Sequence, residues 1–184
     1  GIEASGKPNF EAIVKRSRGV ADKMSKGVQF LMRKNKIDVV MGFGSLKAKG
    51  QIEVKGADGK TQIVEGKHII IATGGRSREL PALKQDGKKI IGYREAMVLP
   101  EQPKSMIVVG SGAIGIEFGY FYNSLGTKVT VVEFLPRIVP VEDEDISKEL
   151  EKNLKKQGID VLVNSEVTSV DTSGNGVKAK VKTA

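Results

Sequence analysis

The order of elements along this sequence predicts an α/β fold whose second half is a βαβαβ unit with a parallel sheet, and three observations carry that expectation. Apolar runs of strand length at 105–109, 128–133 and 159–163 alternate with helical patterns at 113–125 and 145–157. A glycine-rich stretch separates the first strand from the first helix, and Gly126 and Gly158 stand where each helix should stop. The connections are too short for a different chain path to intervene.

Each element has its own signal. Asn9, after Pro8, can cap a helix over about residues 10 to 35, with Phe10, Ile13, Val14, Met24, Val28 and Leu31 falling largely on one face. Residues 37–41 read as a short strand ended by Gly42-Phe43-Gly44. From 46 to 64, two alternating stretches flank Ala57-Asp58-Gly59-Lys60, a hairpin turn. The run His68-Ile69-Ile70-Ile71-Ala72 is apolar enough to be a buried parallel strand that stops at Gly74-Gly75. Residues 95–104, with Pro100 and Pro103, form a linker, so the expected division is 1–98 and 99–184. A final pair of strands, about 165–171 and 177–183, surrounds Thr172-Ser173-Gly174-Asn175-Gly176.

Composition narrows the function classes. The 184 residues are 39% hydrophobic and 28% charged, in the range of folded domains, and no apolar run approaches the roughly 18 to 20 residues of a membrane span. With no cysteine and one histidine, thiolate clusters, cysteine nucleophiles and His-rich metal sites are excluded for this chain. The net charge of +8 is uneven: residues 1–98 carry 20 basic and 10 acidic side chains, residues 99–184 carry 10 and 12. The basic helix near the N-terminus lacks interleaved aromatics and any nucleic-acid motif, so a solvated face is expected there and nucleic acid and membrane are not. A start without Met and an alternating C-terminal end predict a central piece of a longer protein. The polar opening gives no signal segment, and a cytoplasmic location is the expectation.

The chemistry concentrates in Gly110-Ser111-Gly112-Ala113-Ile114-Gly115, directly after the apolar strand and directly before a helix. Gly110 permits the tight turn, Gly112 lets the backbone approach a pyrophosphate, and Gly115 allows helix to pack closely on strand. The helix N-terminus then offers N–H groups and partial positive charge to phosphates. Glu133 ends the next strand, 23 positions after Gly110, where a carboxylate can accept hydrogen bonds from both adenosine ribose hydroxyls and repel a 2′-phosphate. A Rossmann-like site for NAD in preference to NADP is the reading. The competing one is a plain strand-to-helix turn with a solvated Glu. Glu117, farther into the helix, is equally compatible with a dipole partner and with a ligand-facing group.

With Ile69-Ile70-Ile71-Ala72-Thr73-Gly74, Val132-Glu133-Phe134-Leu135-Pro136-Arg137 and Leu154-Lys155-Lys156-Gln157-Gly158, the stretch Gly110 to Glu117 resembles the flavin-dependent pyridine-nucleotide disulfide oxidoreductases, and within them the dihydrolipoamide dehydrogenase branch. The resemblance implies that 1–98 is the partial second half of an FAD-binding domain (helix, β-hairpin, strand) and 99–184 an NAD-binding domain incomplete at its C-terminus. Residues Gly110, Ser111, Gly112, Ala113, Ile114, Gly115, Ile116 and Glu117 would wrap NAD, with Glu117 toward the nicotinamide, Glu133 on the ribose and Val167 on the adenine. Gly44, Thr73, Gly74 and Gly75 would approach FAD. The family's usual Ala-Thr-Gly-Ser-x-Pro is here Ala72-Thr73-Gly74-Gly75-Arg76-Ser77. Its first glycine motif, redox cysteine pair and C-terminal His-Glu base have no counterpart, so no catalytic residue is expected in this chain and the piece alone is expected to be inactive.

For the parent protein the resemblance implies oxidation of protein-bound dihydrolipoamide through a disulfide and FAD, reduction of NAD, a homodimer, and the lipoyl domain of a 2-oxoacid dehydrogenase complex as partner. A mercuric or glutathione-type reductase and a non-redox nucleotide-binding module are the alternatives. His68 reads as a packing residue. Glu142-Asp143-Glu144-Asp145 reads as a dipole-matched helix start, and no metal is expected.

Overall fold

The structure, a computed structural model, describes residues 6–81 and 83–184. They fall into two units, one of residues 17–76 and the other of residues up to Arg16 together with Ser77–Ala184.

Helix α1 (Phe10–Lys34) begins where the Asn9 side chain accepts a hydrogen bond from the Ala12 N–H at 2.9 Å, satisfying a first-turn donor. Its first residue, Phe10, is buried against Tyr122, ring centroids 5.9 Å apart. In the 17–76 unit the helix leaves Met24, Val28, Phe30 and Leu31 exposed. That unit also holds an antiparallel meander of β1 (Phe43–Ala48), β2 (Gln51–Lys55) and β3 (Thr61–Glu65), in the order β1-β2-β3. The β2–β3 turn is the expected one. Gly59 takes φ of +79°, the Gly56 N–H donates to the Lys60 carbonyl at 2.8 Å, and Lys55 pairs with Thr61.

Two expected strands in this region do not form. Residues 37–41 are irregular, because pairing starts at Phe43 opposite Lys55 and β2 has already turned away at Gly56. Residues 68–72 are irregular too: no strand of the described residues lies alongside to complete a ladder, and Ile70 and Ile71 stand 91% and 68% exposed. The expected helix and hairpin of this half are therefore present and its strand is not. His68, expected in packing, is exposed.

In the other unit, the short α2 (Tyr93–Ala96) leads into the proline linker, which is pinned down: Gln102 Nε2 donates to the Leu125 carbonyl at 2.9 Å and Thr127 Oγ1 to the Pro103 carbonyl at 2.7 Å. Then follow β4 (Ser105–Val109), α3 (Ala113–Ser124), β5 (Lys128–Val132), α4 (Glu144–Lys156) and β6 (Asp160–Leu162). The strands are parallel in the order β4-β5-β6, with Met106 opposite Val129 and Val131 opposite Val161. This is the expected βαβαβ unit, each boundary within a residue or so of its sequence signal.

The core is drawn from Tyr122, Val129, Val131, Ile138, Leu154 and Ile159. Burying each such aliphatic side chain contributes about 1.5 to 3 kcal/mol. The Tyr122 hydroxyl finds a partner inside the core, donating to the Ala96 carbonyl at 2.6 Å. Asp143 caps α4, accepting from the Asp145 N–H at 2.9 Å, and Glu144 and Asp145 occupy the first turn, so the acidic cluster is a helix start as expected. The chain ends in the antiparallel pair β7 (Ser165–Asp171) and β8 (Lys178–Thr183), whose Val167 packs with Val132 and Leu83.

Candidate functional site

The site is built where β4 ends. The Gly110 N–H donates to the Val132 carbonyl at 2.9 Å, extending the parallel ladder by one bond, and then φ of +95° at Gly110 turns the chain out of the sheet. Only glycine adopts that angle without strain. Gly112, the N-cap residue of α3, is exposed, and a Cβ built on it would meet nothing within 4 Å, so its backbone faces open space rather than packing. Gly115 is the opposite case: a Cβ there would fall inside contact distance of the Gly110 carbonyl oxygen and 3.1 Å from Val108 Cγ1. The three glycines thus do three different things, and the first-turn N–H groups of α3 are left pointing at the space Gly112 opens.

Glu133 follows β5 and is 7% exposed. Its Oε2 accepts from both the Ser111 N–H at 2.8 Å and the Ser111 hydroxyl at 2.6 Å, and its Oε1 accepts from the Leu135 N–H at 2.8 Å. Burial pushes this carboxyl upward. Hydrogen bonds from the Ser111 hydroxyl and from the Leu135, Ser111 and Phe134 backbone N–H groups outweigh burial and hold it below its ordinary value of 4.5. The group is therefore a fixed anion tied to the glycine loop. Its own backbone is held as well: its N–H donates to the Leu162 carbonyl and its carbonyl accepts from the Ser165 N–H, both at 2.8 Å.

The loop between β5 and α4 closes over the first turn of the glycine loop. Ile138 is fully buried, and Val139 sits at φ of +38°, an outlier for a β-branched residue. The Val139 N–H is shared between the Ser111 carbonyl at 3.1 Å and the Ser111 Oγ at 3.2 Å, and its carbonyl accepts from the Ser147 hydroxyl at 3.4 Å. Arg137, in the same loop, is turned to the Pro140 carbonyl at 3.1 Å and lies 3.9 Å from Glu144.

Of the other residues named from the sequence, Ala113 and Ile114 are exposed at the start of α3, Ile116 is buried beneath it, and Glu117 is exposed. Val167 is 6% exposed in its cluster with Val132 and Leu83. In the 17–76 unit, Gly44 lies within β1 and Thr73, Gly74 and Gly75 in the exposed stretch after Ile71, with Gly74 at φ of +72°. Sequence reasoning named Ser111 and Glu133 separately and missed that they bond to each other; it quoted Leu135 within a motif but gave it no role, and it missed Val139 and Ser147 altogether. The apolar run Ile138-Val139-Pro140-Val141, between Arg137 and Glu142, is the signal that could have found that closure. Among the described residues no group of three or more His, Cys, Asp or Glu is arranged to hold a metal ion, and no helix is long and apolar enough to cross a membrane.

The model of the family described as pyridine nucleotide-disulphide oxidoreductase matches residues 2–184. The chain belongs to that family. Among this family's curated members, the dihydrolipoyl dehydrogenase of Zymomonas mobilis is 44% identical over 179 residues, covering 96% of this chain and 38% of that protein. The dihydrolipoyl dehydrogenase of Rhizobium etli is 44% identical over 198 residues, covering all of this chain and 41% of its own length. The crystal structure of LpdA from Mycobacterium tuberculosis superposes with a TM-score of 0.88 at 31% identity, covering 96% of this chain and 40% of that one. The chain thus spans about two fifths of the oxidoreductases it matches, and its α/β fold is theirs.

Proposed function

We propose that residues 99–184 are the NAD-binding domain, and residues 1–98 part of the FAD-binding domain, of a dihydrolipoyl dehydrogenase that oxidises protein-bound dihydrolipoamide and reduces NAD. The observation that carries the reading is Gly112, whose backbone faces open space at the N-terminus of a twelve-residue helix, next to Ser111, which donates to Glu133, an anion fixed 23 positions beyond Gly110. Support for the parent activity comes from dihydrolipoyl dehydrogenases 44% identical across nearly the whole chain. The lipoyl domain of a 2-oxoacid dehydrogenase complex as partner, a homodimer and a cytoplasmic location belong to the same proposal.

When bound, the flavin supplies hydride to the nicotinamide. The chain's own residues bind and orient the acceptor. Gly110, Ser111 and Gly112 and the first turn of α3, from Ala113 and Ile114 to Gly115 and Ile116, bring N–H groups to the pyrophosphate without a side chain in the way. Glu133 accepts from the adenosine ribose and repels a 2′-phosphate, while Arg137 is engaged elsewhere. Glu117, exposed one turn farther along α3, faces the nicotinamide side, and Val167 backs the adenine end. Gly44, Thr73, Gly74 and Gly75 are the backbone positions offered to FAD; Gly74 has no atom within 4 Å of an added Cβ.

Calorimetric titration of the chain with NAD and with NADP tests the reading. NAD is expected to bind at least about tenfold more tightly, roughly 1.4 kcal/mol. Equal affinities, or no binding of either, would overturn it.

A further inference from the structure

The peptide group between Ser111 and Gly112 is held on one side and open on the other. It is planar and trans, so its C=O and its N–H point in opposite directions, and whatever fixes one fixes the other. The Ser111 carbonyl accepts from the Val139 N–H at 3.1 Å inside the protein, where Ser111 is fully buried and Val139 is 7% exposed. The Gly112 N–H finds no acceptor among the described residues, and a Cβ added at Gly112 would meet nothing within 4 Å. A carbonyl turned inward thus turns this N–H outward, into the space at the start of α3.

Val139 keeps its side of the bond against its own preference. Its φ of +38° is a left-handed angle that a β-branched residue rarely adopts. Three contacts hold it there. Its carbonyl accepts from the Glu142 N–H at 2.9 Å and from the hydroxyl of Ser147, a buried residue of α4, at 3.4 Å, and its side chain belongs to the core cluster of Ile138 and Leu154. At an ordinary negative φ the Val139 N–H and carbonyl could not both keep these partners.

Resting on the proposed NAD site, we infer that Val139 is a positioning residue whose backbone, anchored to α4 through Ser147, aims the Gly112 N–H at the pyrophosphate before the dinucleotide arrives. A donor already aimed meets an anion without the cost of ordering the loop. Adenosine, which has no pyrophosphate, gains nothing from that N–H.

Amide exchange resolved residue by residue by NMR reads the arrangement in the wild-type chain. Before NAD is added, the Val139 amide is expected to be protected at least about a hundredfold more than the Gly112 amide, and NAD is expected to slow Gly112. A Val139 amide that exchanges freely until NAD is present would overturn the inference, because the bond would then form with the ligand rather than ahead of it. A Gly112 amide indifferent to NAD would overturn the proposed site itself. Two variants, checked for folding by thermal melting, then read affinity: Val139→Gly keeps the N–H but loses the packed side chain that fixes its angle, and Ser147→Ala loses one anchor. NAD is expected to bind about tenfold more weakly to the first and about threefold more weakly to the second, with adenosine affinity, followed by NMR titration, within about twofold of wild type in both. A residue that only supports the fold would change NAD and adenosine together, and equal losses, or none, would overturn the inference.

Discussion

Two segments of this chain carry the same kind of pattern and end in different states. Residues 106–112 read Met-Ile-Val-Val-Gly-Ser-Gly and residues 69–75 read Ile-Ile-Ile-Ala-Thr-Gly-Gly, each an apolar run ending in spaced or paired glycines. The first is a parallel strand whose ladder runs on through Gly110 into a turn closed by Glu133 and Val139. The second pairs with no strand of the described residues and leaves Ile70 91% exposed. Apolar composition and glycine spacing state what a segment can become, and neighbouring strands decide whether it does. The consequence is that the first segment presents a closed glycine turn at a helix N-terminus, whereas the second presents only backbone without side-chain obstruction.

Substitutions at the glycines should separate the two segments, most strongly at Gly115. Gly115→Val drives a side chain into the Gly110 carbonyl and Val108, and is expected to destabilise its unit by on the order of 3 kcal/mol in urea unfolding, with dinucleotide binding lost as well. Gly112→Val is expected to leave stability nearly unchanged, because its Cβ meets open space, yet to weaken NAD by about a hundredfold, roughly 2.7 kcal/mol, in calorimetry. Loss of stability comparable to that of Gly115→Val would show that Gly112 packs rather than faces ligand.

The pH dependence of stability sharpens the contrast on the acid side. Glu133 has a carboxyl held below its ordinary value of 4.5, so its favourable contribution is fully present above that value and is lost as pH falls through the lower folded value. Urea midpoints measured from pH 6 downward should therefore drop more steeply for the wild type than for Glu133→Gln; parallel curves would mean that the Ser111 and Leu135 bonds do not favour the ionised form. The smallest effect belongs to the other segment: Gly75→Ala, with nothing within 4 Å and no positive φ, should change stability by less than about 0.5 kcal/mol.

Much of the fold was legible because its signals are local. Gly126 and Gly158 stand at φ of +97° and +84° just beyond α3 and α4, where the sequence alone put helix ends, and Asn9 and Asp143 cap helices as their types allow. The strands at 37–41 and 68–72 were misread because pairing is a property of two segments and the sequence shows one. The glycine roles could be read one at a time. The Ser111–Glu133 bond could not, since it joins residues 22 positions apart through a loop whose closure depends on Val139 holding a backbone angle no propensity favours.

Amide hydrogen exchange of the chain with and without NAD tests the central contrast most directly, since it reads both segments in one experiment. Added NAD is expected to slow exchange at 110–117 and at 133–139 and to leave 66–76 unchanged. Protection at 66–76 with none at 110–117 would contradict the assignment of the dinucleotide site to the loop between β4 and α3.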